Sequence, residues 1–237
     1  KSWVEQVCRE ILRRELRMTF RADCRVDYIN RFPDDFLRLL RRAGMASLYI
    51  GVESGSDRIL EMIHKNITAD DVRRATRRLR EFDIVPRFSF MAGFPGERME
   101  DVYQTLKLML EVVEIYPKAL TSNLQLYSPY PGTELWDEAV RQGLRPPERL
   151  EEWGETNWNR SQSIWLTARE RDFLELASYF SYFIDGKTIA SWYGGKPVLR
   201  FLTTILTRLL HWRVRHSRYR FILVGRILRW LKEKGRI

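Results

Sequence analysis

Helical and strand-like hydrophobic patterns alternate along residues 2–127. Helical spacing of apolar side chains is found over about 2–16, 34–43, 59–63, 69–82 and 99–115. Short apolar runs of strand length are found over 19–26, 48–52, 84–92 and 119–127. Strands separated by helices of this length predict βα units, and therefore a parallel sheet with right-handed crossovers.

The predicted strands separate apolar from polar side chains, because successive residues of a strand point to opposite faces. The predicted apolar faces carry Phe20, Ala22, Cys24 and Val26; Leu48, Ile50 and Val52; Phe88, Phe90 and Ala92; and Leu120, Ser122, Leu124 and Leu126. The opposite faces carry Arg21, Asp23, Arg25 and Asp27; Tyr49, Gly51 and Glu53; Arg87, Ser89 and Met91; and Thr121, Asn123, Gln125 and Tyr127. A parallel sheet covered on both sides would be apolar on both faces. The pattern therefore favours a curved sheet whose polar side lines a cavity, over a polar face that is simply exposed to water.

Breaks after the second to fourth strands fall at the edge where parallel α/β folds bind ligands. Glu53 ends a strand there, and Lys65 follows twelve residues later, so the two could hold an amino-acid-like zwitterion. A helix-capping carboxylate and a surface lysine are the alternative interpretation. Arg87, on the polar face, would be costly to bury without a carboxylate or phosphate partner.

Composition excludes several classes of protein. Of 237 residues, 44% are hydrophobic, but none of the apolar runs approaches the roughly 18 residues of a membrane-spanning helix. Two cysteines, Cys8 and Cys24, are too few for a disulfide scaffold, and no signal sequence is recognised, which favours the cytoplasm. The three histidines have no metal-ligand spacing, so no metal ligand is assigned, and no catalytic residue is assigned either.

The net charge of +10 is concentrated at the C-terminal end. Residues 187–237 contain 13 lysines and arginines and one acid, whereas acids slightly outnumber bases in the rest of the chain. Residues 198–212 and 219–231 have apolar residues at helical spacing with arginines between them. Basic amphipathic helices with tryptophan suit an anionic membrane surface. Nucleic-acid binding, docking on another domain of the same protein, and simple helices with solvated arginines are the alternatives.

Four strings together resemble the radical S-adenosylmethionine (SAM) enzymes. They are Arg25-Val26-Asp27; Leu48 to Ser56 followed by Lys65-Asn66-Ile67-Thr68; Met91 to Glu97; and Ser128 to Leu135. The resemblance covers about residues 1–180 and is greatest to the cobalamin-dependent branch, which includes methyltransferases and the anaerobic protoporphyrin-ester cyclase.

The resemblance implies a partial, TIM-like (β/α)6 barrel, here reduced to about four βα units. It places Glu53 and Lys65 at the methionyl end of SAM and Ser89 at the ribose. Gly93, with the segment around Leu126 and Tyr127, falls beside the adenine. Arg21, Arg25, Arg87, Asn123 and Gln125 are the candidates for the substrate side.

The family's Cys-x-x-x-Cys-x-x-Cys loop, which binds three irons of a [4Fe–4S] cluster, is absent from this sequence. We therefore expect the chain to be the C-terminal part of a longer protein, with the cluster loop and a cobalamin-binding domain upstream. Residues 1–145 would form the barrel part, 146–186 a helical extension and 187–237 the basic tail.

The function implied by the resemblance is radical methylation or oxidative rearrangement of a small or lipid-like substrate, with SAM, the cluster and optionally cobalamin as cofactors. In such enzymes the cluster donates an electron to SAM, and the resulting radical abstracts substrate hydrogen. A tRNA-modifying methylthiotransferase-like enzyme and a non-catalytic binding module are the alternatives. The resemblance leaves the role of the tail open: contact with a membrane surface is one possible role, and nucleic-acid binding is a weaker one.

Overall fold

The computed structural model describes residues 2–155, 163–187 and 197–219. Within them, four parallel strands form one sheet in the order β1-β2-β3-β4. The strands are β1 (Phe20–Cys24), β2 (Met45–Glu53), β3 (Val85–Ala92) and β4 (Leu120–Leu126). The predicted α/β class, the four strands and their parallel order are confirmed.

Helices connect the strands and continue beyond the sheet. They are α1 (Ser2–Arg13), α2 (Val26–Arg31), α3 (Asp34–Arg42), α4 (Asp57–Met62), α5 (Ala69–Glu81), α6 (Met99–Ile115), α7 (Glu134–Arg141), α8 (Ala168–Ser181) and α9 (Pro197–Arg215), with a 3-10 turn at Leu150–Glu155. None of the helices in these ranges is long and apolar enough to cross a bilayer.

Local sequence explains where α5 begins and which side it buries. Thr68 accepts a hydrogen bond from the Asp71 amide, and the Asp71 carboxylate accepts one from the Thr68 amide, so two N-terminal amides of the helix are satisfied. Val72, Ala75 and Leu79 recur at helical spacing and are fully buried in the main core.

That core lies on the helix side of the sheet. Alternate residues of β3 are buried there, and the polar residues between them face the other side, as predicted. The outer edge of β4 is covered by α8 and the turn after it. The Leu124 amide donates to Ser181 Oγ at 2.7 Å, so this part of the edge is not left for another chain.

Two predicted strand assignments are wrong. Val26 and Asp27 belong to α2, because β1 ends at Cys24 and Arg25 is the residue before the helix. In β4, the pairing with β3 is irregular. Phe88 pairs with Thr121 and Phe90 pairs with Leu124, so β4 contains one residue more than β3 between these two pairs.

This irregularity in β4 reverses the faces at its start. Thr121 is buried and pairs with Phe88 of the core, although it also borders the cavity, whereas Leu120 pairs with Arg87 and lines the cavity. Strict alternation along β4 predicted the reverse for both residues.

Helix α9 leaves an apolar stripe exposed. Leu210 and Val214 are buried, and Arg215 is ion-paired with Glu114 of α6. The exposed stripe consists of Phe201, Leu202, Ile205, Leu209 and Trp212. The second predicted tail helix, over 219–231, lies outside the described residues apart from Tyr219, which is buried.

Candidate functional site

An ion pair closes the carboxyl end of β2. Lys65 Nζ lies 2.9 Å from Glu53 Oε1, and both side chains are largely shielded from water. Glu53 adopts a left-handed backbone conformation, with φ +75°, which is costly for a residue other than glycine. The same position is a register irregularity, because Gly51 pairs with Ser89 and Glu53 already pairs with Phe90. The strand end is therefore held in an unusual geometry that turns this carboxylate toward Lys65.

Gly51 makes room for the pair. A Cβ at this position would collide with Glu53 Oε1 and come within 3.3 Å of Lys65 Nζ. The carboxylate therefore lies over the backbone of β2, in space that any larger residue would occupy. An ammonium–carboxylate pair next to bare backbone is chemically suited to a ligand that carries both charges, because each group could exchange its present partner for the opposite charge of the ligand.

A cavity of about 850 Å³ opens on the polar face of the sheet. Its lining combines three cationic side chains, one carboxylate and two tyrosines with parts of the strands. The lining residues are Asp23, Cys24, Arg25, Tyr28, Tyr49, Ile50, Gly51, Arg87, Phe88, Ser89, Leu120, Thr121, Ser122 and Lys187. Glu53 and Lys65 do not line the cavity themselves, but Gly51 does, so the ion pair adjoins the cavity at this residue.

Tyr49, on the cavity wall, contacts Arg87 of the same wall and Arg21, which does not line the cavity. Arg87 Nη1 donates to Tyr49 Oη at 3.0 Å, and the Arg87 guanidinium carbon lies 5.3 Å from the centre of the Tyr49 ring. A hydrogen bond from Arg21, together with the charge of Arg87, lowers the pKa of Tyr49. The sequence indicated the two arginines but gave Tyr49 no role. Its place on the polar face of β2 was the available signal.

The turn after β3 is fixed by its own glutamate. The Glu97 carboxylate accepts hydrogen bonds from the amides of Gly93 and Phe94. Burial raises the pKa of Glu97 to about 7. Gly93 adopts φ +90°, and its carbonyl accepts from Ser163 Oγ and Trp165 Nε1 at 3.2 and 3.1 Å. The sequence motif Met91 to Glu97 ends in this residue, but the sequence pattern gives Glu97 no role of its own.

The remaining predicted residues divide by position. Arg25 lines the cavity, although it is ion-paired with Asp27 at 2.9 Å. Asn123 is not among the cavity-lining residues, because its amide donates to Ser178 Oγ of α8 at 3.2 Å. Gln125 pairs with Met91 farther along the sheet and does not line the cavity either.

Leu126 and Tyr127 also lie away from the cavity. The Leu126 side chain is buried in the helix-side core, so only its backbone could reach a ligand on the other face. The Tyr127 ring packs 4.9 Å from Phe94 in a separate small cluster with Ile59. The Tyr127 amide donates to the Ala92 carbonyl at 2.8 Å, which ties the end of β4 to the end of β3.

The two cysteines do not form a cluster site. Cys8 is buried in α1, burial raises the pKa of Cys24 to about 11, and both thiols are free. Iron–sulfur clusters are bound by thiolates, which neither environment favours. Among the residues that the structure describes, no group of three or more His, Cys, Asp or Glu side chains could hold a metal ion.

Comparison with known proteins finds one matching family model and several relatives. Residues 4–109 match the model of the Radical SAM superfamily. The chain is 33% identical over 116 residues to an uncharacterised methyltransferase of Pyrococcus horikoshii, covering 49% of this chain and 24% of that protein. It is 38% identical over 110 residues to the tRNA-2-methylthio-N(6)-dimethylallyladenosine synthase of Yersinia enterocolitica, covering 45% and 22%. The chain thus spans about a quarter of the length of these relatives.

A solved structure shares the fold over nearly the whole chain. It is the cobalamin-dependent SAM radical enzyme OxsB, solved with aqua-cobalamin and SAM bound. The TM-score is 0.58 at 15% identity, and the match covers 98% of this chain and 40% of OxsB. At this identity the likeness concerns the fold alone, and it agrees with a partial TIM-like barrel.

Proposed function

We propose that this chain is the SAM-binding part of a radical SAM enzyme, because residues 4–109 match the model of the Radical SAM superfamily. The observation that carries the proposal is the Glu53–Lys65 pair over the bare backbone of Gly51. When bound, SAM supplies the radical chemistry after which the superfamily is named. The contribution of the protein is to bind and orient SAM and to keep water away from the reacting groups.

The charged pair fits the methionyl end of SAM. In this proposal, Glu53 accepts hydrogen bonds from the α-ammonium group, and Lys65 donates to the α-carboxylate. The two side chains are partly shielded from water, which strengthens both interactions. Their mutual ion pair keeps both charges in place before the ligand arrives.

The rest of SAM would extend along the carboxyl ends of β3 and β4. Ser89, in the cavity next to Gly51, is proposed to bind the ribose hydroxyls. Gly93 is proposed to lie beside the adenine, together with the backbone at Leu126 and Tyr127. Because Leu126 and Tyr127 bury their side chains elsewhere, their contribution would come from backbone groups.

The [4Fe–4S] cluster does not fit the residues of this chain, because its two cysteines lie apart and both are held as thiols. We assign the cluster ligands, and any cobalamin-binding domain, to another part of the protein. The reaction proposed for the whole protein is radical methylation or oxidative rearrangement of a small or lipid-like substrate in the cytoplasm. Arg21, Arg25 and Arg87 would face that substrate.

The experiment measures SAM binding by equilibrium dialysis. The gene product that contains this chain is purified without oxygen and compared with its Lys65→Met and Lys107→Met variants. Lys107 is exposed and lies 4.0 Å from Glu111, so its variant loses a surface charge without touching the site. We expect Lys65→Met to weaken SAM binding at least tenfold, the cost of one charged hydrogen bond, and Lys107→Met to leave it unchanged.

Equal SAM affinity in the wild type and the Lys65→Met variant would overturn the assignment of the pair. Absence of SAM binding by the wild type would overturn the proposed function itself and favour a non-catalytic binding module.

A second candidate function follows from the relatives. The 38% identity to a tRNA-modifying synthase over 110 residues favours a methylthiotransferase acting on tRNA. The two candidates differ in substrate, since only the second requires tRNA binding by the protein. Gel-shift titration with bulk tRNA separates them: saturable, salt-sensitive binding supports the second candidate, and its absence supports the first.

The exposed stripe of α9 is proposed to meet an anionic membrane surface. Phe201 and Trp212 are 66% and 46% exposed, and residues 197–219 contain arginines but no acid. Exposed apolar side chains on a helix that carries arginines match the chemistry of an anionic lipid interface.

Vesicle co-sedimentation tests this membrane proposal. We expect binding to phosphatidylserine-containing vesicles that weakens with salt and with Trp212→Ser, and little binding to neutral vesicles. Equal sedimentation with both vesicle types, or no effect of Trp212→Ser, would contradict it. In this proposal the chain divides as predicted, with the barrel part over 1–145, the helical extension over 146–186 and the tail over 187–237.

A further inference from the structure

The cavity on the polar sheet face has an excess of positive charge. Three cationic side chains, Arg25, Arg87 and Lys187, line it against the single carboxylate of Asp23. Arg21 is not part of this lining but lies next to it, where it donates a hydrogen bond to Tyr49. Arg25 is neutralised by its ion pair with Asp27, but Arg21 and Arg87 make no ion pair with any residue in the described ranges.

The two arginines also have more hydrogen-bond donors than their shared partner can accept. A guanidinium group carries five N–H donors in a planar fork, and a phenol oxygen accepts at most two hydrogen bonds. Tyr49 therefore holds Arg21 and Arg87 close to each other while leaving most of their donors available. Planar arginine donors fit the two oxygens of a carboxylate or the oxygens of a phosphate.

Aromatic groups define the rest of the binding surface. Arg25 lies over the Tyr28 ring at 5.9 Å and Arg87 over the Tyr49 ring at 5.3 Å, so two arginine–tyrosine pairs line one cavity. Leu120, which the irregularity in β4 turns to this side, adds an apolar wall. The volume of about 850 Å³ is within the usual range for small-molecule sites.

We propose that this cavity binds an organic anion, a carboxylate or phosphate group on a flat or apolar body, and that Arg87 and Arg21, held together by Tyr49, contact the anionic group. The inference rests on the proposed function in that it takes the cavity to be the substrate side of the SAM site. It adds the chemical class of the substrate.

The test uses three small probes of one shape: benzoate, its neutral analogue benzamide, and phenyl phosphate. Each is titrated by ligand-observed NMR into the same anaerobic preparation used for SAM dialysis. We expect benzoate to bind at least tenfold more tightly than benzamide. Tighter binding of phenyl phosphate than of benzoate would identify phosphate as the preferred group, and the reverse order would identify carboxylate.

Variants connect the binding to the named residues. Arg87→Gln is expected to weaken benzoate binding at least tenfold, because the charged donor pair is lost. Arg42→Gln, an exposed arginine at the end of α3, is the matched control and should change nothing. Tyr49→Phe keeps the ring but removes the oxygen that gathers the arginines, and it is expected to weaken binding several-fold even if Arg87→Gln fails to fold.

Equal binding of benzoate and benzamide would overturn the proposal, as would no binding of either anion or full benzoate affinity in both cavity variants. SAM dialysis on the same samples separates this failure from failure of the proposed function. SAM bound without benzoate contradicts only the substrate class, whereas benzoate bound without SAM contradicts the SAM site and leaves an anion-binding cavity.

Discussion

Replacing Gly51 by alanine should separate ligand binding from folding. The new Cβ would collide with Glu53 Oε1 and lie 3.3 Å from Lys65 Nζ, and both atoms are the far ends of flexible side chains. Gly51 does not adopt a left-handed conformation, so alanine is allowed on the backbone. The variant therefore displaces the carboxylate from its place over β2 without straining the strand.

The magnitudes of the two effects differ. A partly exposed ion pair contributes about 0–1 kcal/mol to stability, and replacing glycine by alanine returns about 0.4–1 kcal/mol through the unfolded state. The free energy of unfolding should thus change by less than about 1 kcal/mol. Loss of a charged hydrogen bond to the ligand costs about 1.5–3 kcal/mol, which corresponds to roughly 10- to 100-fold in SAM affinity.

Urea denaturation and SAM dialysis on the same Gly51→Ala sample measure both quantities. Gly55→Ala is the contrasting variant, since its Cβ would meet backbone atoms, the Gln104 carbonyl oxygen at 2.5 Å and Thr105 Cα at 2.7 Å. Gly55→Ala should therefore lower stability clearly. Undiminished SAM affinity in Gly51→Ala, or a stability loss as large as that of Gly55→Ala, would refute the reasoning.

Three further predictions concern the turns that hold the strand ends. Because the pKa of Glu97 is raised to about 7 from an ordinary 4.5, its stabilising contribution is present below pH 4.5 and is lost as pH rises through 7. In urea denaturation, the free energy of unfolding of the wild type should fall by roughly 3 kcal/mol relative to that of Glu97→Gln between pH 4 and 8. Wild type and variant with the same pH dependence of this free energy would contradict the prediction. Thr105→Val removes the hydroxyl oxygen that accepts a hydrogen bond from the buried Gly55 amide at 2.9 Å, and it should cost about 1–3 kcal/mol of unfolding free energy. An unchanged urea midpoint would contradict a stabilising role of this contact. Arg58→Met leaves the buried carboxylate of Asp101 without its cation and should cost about 2 kcal/mol of unfolding free energy at pH 7. Although burial opposes it, the hydrogen bond from Arg58 holds the pKa of Asp101 below its ordinary 3.8, so the loss should shrink only as the pH falls below 3.8, and an equal loss there would argue against an electrostatic cause.

Hydrophobic periodicity was sufficient to predict the sheet. Where a strand alternates strictly, as β3 does, the sequence alone predicts which residues the core buries. It predicted the wrong faces for Leu120 and Thr121, because the irregularity in β4 depends on pairing with β3 and leaves no local mark in the sequence. It also extended β1 into α2, whose six residues, Val26–Arg31, are too few to show a clear helical period.

The sequence spacing was enough to propose the Glu53–Lys65 pair, but not to predict its geometry. Glu53 and Lys65 are twelve residues apart, and only the left-handed turn at Glu53 and the bare backbone of Gly51 bring them to 2.9 Å. Tyr49 was overlooked because a tyrosine on a strand is usually a packing residue. Its importance comes from the two arginines that converge on its hydroxyl from neighbouring strands.

A crystal structure of the gene product with SAM bound tests the central claim most directly. We expect electron density for the methionyl group between the Glu53 carboxylate and the Lys65 ammonium, with the ribose near Ser89. Density for SAM at any other place on the molecule, with the Glu53–Lys65 pair undisturbed, would contradict it.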